Sequence, residues 1–216
     1  MLSTRSELNL SEQEFILRPP RAQRLLDLLI AIPGLILISP ALIIVGIMVK
    51  LDSRGPVFFR QKRVGQFGHL FEILKFRTMV VDAEKRGAQL TIGRDPRITR
   101  IGHFLRSKKL DELPQLLNVI KGEMSIVGPR PEVPQYVALY TEHQRQILSL
   151  RPGLTSNASI AFHNENELLA GHTDPEQYYC TKVMPAKIGQ DLDYARNATI
   201  WRDCTIIAKT LSRILK

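Results

Sequence analysis

The chain has 216 residues, 44% of them hydrophobic and 24% charged, which is enough apolar material for one or two small cored domains and too much for a disordered tail. Its 30 Lys and Arg against 21 Asp and Glu give a formal charge of +9, and 15 basic against 5 acidic residues fall between Lys50 and Leu110, so anionic partners are expected: phosphates, nucleic acid or an acidic membrane face. Cys180 and Cys204 form no CxxC or Cys/His cluster and the five histidines are scattered, which excludes a disulfide framework and a zinc site and fits a reducing, cytoplasmic setting.

Residues 1–20 read as a loose polar extension ending in Pro19-Pro20. Leu25 to Val49 follows as an apolar run whose only formal charge is Asp27. As one helix its 25 residues would measure about 37 Å, longer than a hydrocarbon core of about 30 Å. Two features argue against simple spanning. Pro40 removes a helical hydrogen bond near the middle, with Ser39 placed to satisfy the freed backbone locally, and Pro33-Gly34 is a second possible kink. Arg18, Arg21 and Arg24 precede the run while Lys50, Arg54, Arg60, Lys62 and Arg63 follow it, so the positive-inside tendency asks for both ends on the cytoplasmic side. A re-entrant helical hairpin over residues 21–50, broken at Ser39-Pro40, satisfies both. A cleaved signal peptide is not expected, because the preceding residues carry Glu7, Glu12 and Glu14 and no small-x-small site follows.

After Gly55-Pro56, VFFRQKRVG and HLFEILKFRTM read as two strands of a hairpin around Gly65 and Gly68. Val81 to Gln89 reads as a short exposed helix and Gly93 to Arg100 as a loop dense in cations. A helix is expected over Asp111–Lys121, with Pro114 in its first turn and Gly122 past its end. Another is expected from Glu132 or Val133 to about Leu150, stopped by Pro152-Gly153. Finally, Ile200, Cys204, Ile207, Leu211 and Ile214 recur at helical spacing, on a helix suited either to core packing or to a membrane surface beside Trp201. The fold class expected is α/β, mixed and helix-rich: a membrane hairpin, a small catalytic core over 51–155 with a β-hairpin, and a variable substrate-facing region with peripheral amphipathic helices over 156–216.

Asp111-Glu112 at a helix start is, taken alone, ordinary capping. Its context adds chemistry. Arg106, Lys108 and Lys109 lie just before it, and Pro129-Arg130-Pro131 lies after it, where the flanking prolines fix how the guanidinium is presented. Carboxylates among fixed cations are expected to stay ionised, which suits a nucleophile or a metal ligand and disfavours a general acid. Phosphate transfer needs that combination: arginine forks on the phosphoryl oxygens, a divalent cation bridging carboxylate and diphosphate, and an attacking carboxylate oxygen.

In these motifs the sequence resembles the small monotopic phosphoglycosyl transferases, a superfamily of bacterial sugar transferases. The motifs are the apolar run with Ser39-Pro40, GPVFFRQKRVG, FEILKFRTM, LDELPQLLNVIKGEMSIVGPRP and RPGLT at Arg151 to Thr155. The resemblance implies transfer of a sugar 1-phosphate from a UDP-sugar to a polyprenyl phosphate at the cytoplasmic face of the bacterial inner membrane, initiating glycan assembly. It implies Asp111 as the nucleophile of a covalent intermediate with release of UMP, and Glu112 on the acid/base and metal side, with Asp111 and Glu112 as ligands of Mg2+. It implies Arg106 and Arg130 as phosphate-binding arginines. Lys75, Arg77 and Arg63 are further candidates for diphosphate or anionic lipid, with solvated strand edges as the plainer reading. Where many members continue RPGLT with glycine, this chain has Ser156, in a region that bears on the sugar. The partners implied are the UDP-sugar, the polyprenyl phosphate and inner-membrane phospholipid, with homo-oligomerisation left open. A nucleic-acid role is not expected, since Phe58, Phe59, Phe71 and Phe76 alternate like strand core residues. The competing reading is a membrane-anchored scaffold or anion-binding protein without chemistry, which would not need Asp111.

Overall fold

The structure, a computed structural model, describes residues 20–83, 91, 93 and 95–214. The polar extension over residues 1–19 and most of the short helix expected over Val81–Gln89 lie outside the described residues.

The apolar run forms one helix, α1 (Pro20–Asp52), whose 33 residues extend about 50 Å. Helical backbone continues through both Pro33 and Pro40, so the proline at the expected break does not end the helix. The local reason is visible: Pro40 cannot donate to the carbonyl of Ile36, and the Ser39 hydroxyl donates to that carbonyl instead, at 2.8 Å.

The expected hairpin is present as β1 (Phe58–Val64) and β2 (Leu70–Phe76), antiparallel with Phe58 opposite Phe76 and Val64 opposite Leu70. Its connection places Phe67 and Gly68 at positive φ, 55° and 80°. Helix α2 (Arg100–Ser107) starts at Thr99, whose hydroxyl accepts from the Gly102 N–H. The helix expected over Asp111–Lys121 is in fact a 3-10 turn, Leu110–Gln115, running into α3 (Leu116–Lys121), which Gly122 ends at φ 89°. Pro114 lies inside the tighter turn.

Strand β3 (Ser125–Val127) pairs in parallel with β4 (Gly153–Thr155), a contact absent from the sequence reading. Between them the single helix expected from residue 132 to 150 is divided into α4 (Pro134–Val137), α5 (Glu142–Arg145) and a 3-10 turn, Gln146–Ser149. Thr141 causes the restart: its hydroxyl accepts from the Gln144 N–H while the Gln144 side chain accepts from the Thr141 N–H. The chain continues as α6 (Asn157–Ala161), α7 (Glu165–Ala170), α8 (Pro175–Tyr178), a π-helical segment Tyr179–Val183, α9 (Met184–Arg196) and α10 (Ile200–Ile214). The π segment ends two residues before Pro185, which has no N–H to continue the ladder.

Helix α1 is apolar on all sides and uses its faces differently. Ile30, Ala31, Leu35 and Ile38 pack with Val119 of α3, Met124, Ile126 and Ile206 of α10, and Leu42, Val45 and Val49 pack with Phe76 and Leu105. That is one stripe at three- and four-residue spacing. Polar ties fasten both of its ends: Arg24 donates to the carbonyls of Val119 and Ile120, buried Asp27 accepts from Ser125 and the Ile126 N–H, and Asp52 accepts from the Ile101 N–H at 3.0 Å. The opposite face leaves Leu25, Leu29, Ile36, Leu37, Ile43, Ile44, Ile47 and Leu51 exposed, Leu37 and Leu51 by 82% each. A separate core joins α4, the turn after α5 and α9 through Val137, Tyr140, Ile147, Ile188 and Leu192.

Candidate active site

Three elements converge on Glu112. The 3-10 turn carries it, β2 brings Lys75, whose Nζ lies 2.9 Å from Glu112 Oε1, and the loop after β3 brings Arg130, whose Nη1 lies 3.0 Å from Oε2 while Nη2 donates to Oε1. Glu112 thus binds a two-pronged guanidinium and an ammonium while itself largely buried. Burial, the largest single influence on this carboxyl, pushes it up, yet Arg130 and then Lys75 together outweigh burial and hold it well below the usual carboxylate range.

Asp111 differs although it is the adjacent residue. Lys109, at φ 56° in the left-handed region, turns the chain out of α2 and delivers Asp111 inward, only 7% exposed. Its Oδ1 is buried without a hydrogen-bond partner. Burial and then the charge of Glu112 raise its pKa, against the pull of Lys75, Arg106 and Lys109. The neighbouring cations are expected to keep both carboxylates ionised; Arg130 and Lys75 do so for Glu112, whereas Asp111 is pushed toward protonation despite Lys75, Arg106 and Lys109. Two adjacent carboxyls are thereby driven apart, the pattern by which a site gives two like groups different tasks.

Arg106, half-buried on α2, donates from Nε to Thr78 Oγ1 at 2.8 Å and from Nη1 to Thr91 Oγ1 at 3.1 Å, and its charge is felt at Asp111. The Pro129–Pro131 loop is held by its carbonyls: Pro129 O accepts from the Gly153 N–H at 2.8 Å and Pro131 O from Arg63 Nη1 at 3.0 Å. Its approach to β4 requires glycine, because a Cβ on Gly153 would fall 2.1 Å from the Gly128 nitrogen.

Two candidates are engaged elsewhere. Arg63 bonds Gln61, the Pro131 carbonyl and Glu132, so its guanidinium supports the loop that bears Arg130. Arg77 is buried and donates to the carbonyls of Ser53 and Arg54, closing the end of α1 onto β2. Gly55 stands there at φ 125°, a backbone region that favours glycine, and a Cβ would crowd Arg77 Nη1 and Val81. Glu132, expected only as a helix start, and Tyr179, not among the candidate site residues, are also close to the Pro129–Pro131 loop. Glu132 had a signal, as the acid directly after Pro-Arg-Pro; Tyr179 had none.

As donors for a metal ion, the described residues hold no cluster of three or more His, Cys, Asp or Glu side chains. Both Glu112 oxygens are taken by cations, so it does not fit as a ligand in this arrangement. Asp111 Oδ1 does fit: it is a hard, unpartnered oxygen, and magnesium is commonly held by one or two carboxylates together with substrate phosphates and water.

Comparison with known proteins gives one family, described as bacterial sugar transferase, whose model matches residues 19–216. The UDP-glucose:undecaprenyl-phosphate glucose-1-phosphate transferase of Caulobacter vibrioides is 35% identical across 97% of this chain and 79% of its own length. The exopolysaccharide production protein ExoY of Rhizobium meliloti is 36% identical across 89% of this chain and 85% of its own. A UDP-N-acetylgalactosamine-undecaprenyl-phosphate N-acetylgalactosaminephosphotransferase of Aeromonas hydrophila is 37% identical across 89% of this chain, which spans only 43% of that longer protein.

Proposed function

The chain belongs to the bacterial sugar transferase family, and we propose that it transfers a sugar 1-phosphate from a UDP-sugar to undecaprenyl phosphate, with Asp111 as a covalent nucleophile. The observation that carries this reading is the contrast within the dyad: Glu112 closes on Lys75 and Arg130, while the buried Asp111 Oδ1 is left without any partner. An oxygen meant only to cap a helix would be expected to find an N–H.

In this scheme the ionised Asp111 carboxylate forms a bond to the sugar-proximal phosphorus as the bond from that phosphorus to UMP breaks. An oxygen of the lipid phosphate then attacks the same phosphorus, the bond to Asp111 breaks, and the free carboxylate is restored. Arg130 presents its guanidinium to the diphosphate, since Glu112 occupies only two of its five N–H groups. Arg106, braced by Thr78 and Thr91, adds a second fixed positive charge beside Asp111. Magnesium, held by Asp111 and substrate oxygens, would neutralise diphosphate charge when bound.

The membrane arrangement supported best is monotopic, with α1 entering and leaving the cytoplasmic leaflet of the inner membrane from one side. Both ends of α1 are tied to the same folded unit, Arg24 and Asp27 at one and Asp52 at the other, which supports placing them on one face of the membrane. The eight exposed aliphatic side chains of the outer face would supply on the order of 10 kcal/mol on entering hydrocarbon. Such an enzyme begins a lipid-linked glycan, with exopolysaccharide as the first candidate and O-antigen, capsule or glycoprotein glycan as the others.

The test is purified protein with undecaprenyl phosphate, magnesium and a panel of UDP-sugars, read as UMP release. One sugar should release UMP before lipid is added, in the amount of the enzyme, and acid-quenched protein should carry labelled sugar phosphate on Asp111. Asp111→Asn should lower turnover by roughly 10^4-fold or more while keeping the fold. Appreciable turnover by that variant would reduce the dyad to a helix cap.

A further inference from the structure

Behind Arg130 lies a polar cluster in which no residue but Arg130 touches the dyad. Glu132 is its centre. Its Oε1 accepts from Arg63 Nη1 at 3.3 Å and from the Val133 N–H at 2.8 Å, its Oε2 accepts from the Tyr179 hydroxyl, and its backbone carbonyl accepts from the Val64 N–H at 2.9 Å. Arg63 uses the same Nη1 to hold the Pro131 carbonyl. Glu132 is therefore gripped by β1 on one side and by the α8–α9 segment on the other, two residues after the guanidinium that grips Glu112. Tyr179 itself is 3% exposed and stands in the π-helical turn, where the widened backbone displaces it from the ordinary helical path. Arg130, Glu132 and Tyr179 share the wall of one cavity of about 40 Å³ with Lys187 and Asp191 of α9, and the polar bridge from Glu132 to Tyr179 runs beside it.

We infer that Glu132, held between Arg63 and Tyr179, is the positioning residue that fixes the angle at which Arg130 meets Glu112 and the diphosphate. The inference rests on the transferase reading above and deepens it: the Tyr179 hydroxyl links the C-terminal region to the loop that carries Arg130. The bridge has the properties a positioning device needs. Every oxygen of Glu132 is bonded, so the carboxylate has one orientation. Pro129 and Pro131 restrict φ on either side of Arg130, so fixing the carbonyl of Pro131 and the side chain of Glu132 leaves the loop little freedom to re-aim the guanidinium. Misplacement of a catalytic group by about 1 Å can cost up to roughly 100-fold in rate.

The experiment is a double-mutant cycle. Wild type, Tyr179→Phe, Arg130→Lys and the double variant are compared in kcat/KM for the UDP-sugar, and a parallel cycle uses Glu132→Gln. Melting temperatures are taken first, and the cycle whose variants all melt with the wild type is the one read. Tyr179→Phe should lower kcat/KM by about 10-fold in the wild-type background and by less than about 3-fold when Arg130 is already Lys, because the geometry it protects is then lost. An equal loss in both backgrounds, or no loss in the first, overturns the inference, since a merely structural tyrosine gives additive effects. The same cycle is run on affinity for inorganic pyrophosphate by calorimetry, which needs no turnover. Should the wild type release no UMP from any UDP-sugar, the transferase reading fails by itself, and additivity or coupling in the pyrophosphate cycle still decides the role of Tyr179 and Glu132.

Discussion

The division of labour between Asp111 and Glu112 is set by which carboxylate the cations can reach. Lys75 and Arg130 arrive from two different elements and both close on Glu112, which leaves the more buried neighbour to absorb the cost of two adjacent negative charges. A nucleophile must be ionised, so the acid limb of the rate of UMP release should lie above the ordinary carboxylate range and report on the coupled pair. Glu112→Gln removes the charge that raises Asp111 and frees Lys75 and Arg130 to stabilise it. The acid limb of the residual activity should therefore move to lower pH, even as the maximal rate falls through loss of Arg130 placement. A pH profile of single-turnover UMP release for both proteins checks the direction, and an unmoved limb would mean that Asp111 does not feel Glu112.

At the scale of elements, the sequence carried what is local. The β-hairpin was legible from strand composition around two glycines, the end of α3 from Gly122, and the rescue of the backbone at Pro40 from the neighbouring serine. The β3–β4 pairing was not, because three-residue strands brought together across 28 residues leave no periodicity. The break at Thr141 was missed for a different reason: its capping box interrupts a stretch that otherwise reads as continuous helix. Likewise Lys75, Arg63 and Arg77 looked alike as cations near a strand hairpin, and only their folded partners tell them apart, one on Glu112, one behind the Pro-Arg-Pro loop and one on the end of α1. The same local reasoning gives a prediction for α1. Replacing Ser39 and Pro40 together by Ala and Leu restores the N–H to the Ile36 carbonyl and a strong helix former at the site, so a straight, spanning helix becomes more favourable by up to about 3 kcal/mol. Cysteines placed near residues 10 and 60 should both resist labelling from the periplasmic side in the otherwise native protein, and one of them should begin to react in the double variant. Reaction of just one in the parent would establish spanning.

Over the whole molecule, the C-terminal helices are tied back to the core by a buried acid whose ionisation opposes folding. Asp191 of α9 is 4% exposed and accepts from the Ser156 hydroxyl at 3.3 Å and the Ala158 N–H at 3.4 Å, holding the start of α6. Burial pushes its pKa up to about 6, with Ser156, Ala158 and the charge of Lys187 pulling the other way. An acid whose pKa is higher in the folded state than in the unfolded chain favours folding when protonated. Its stabilising contribution is complete below about pH 4 and is lost as pH rises through about 6, a change of roughly 3 kcal/mol at about 1.4 kcal/mol per pH unit. Against a total stability of about 5–15 kcal/mol that is a measurable fraction. Asp191→Asn keeps an acceptor for Ser156 or Ala158 and cannot ionise, so between pH 4.5 and 7.5 its melting temperature in detergent should gain on the wild type by several degrees, about 2–4 °C for each kcal/mol in a chain of this size. All other groups titrate equally in the two proteins, so the difference isolates this carboxyl. Parallel melting curves across that range would show that Asp191 is ionised at no cost in the folded protein, which its burial and its two long hydrogen bonds do not allow.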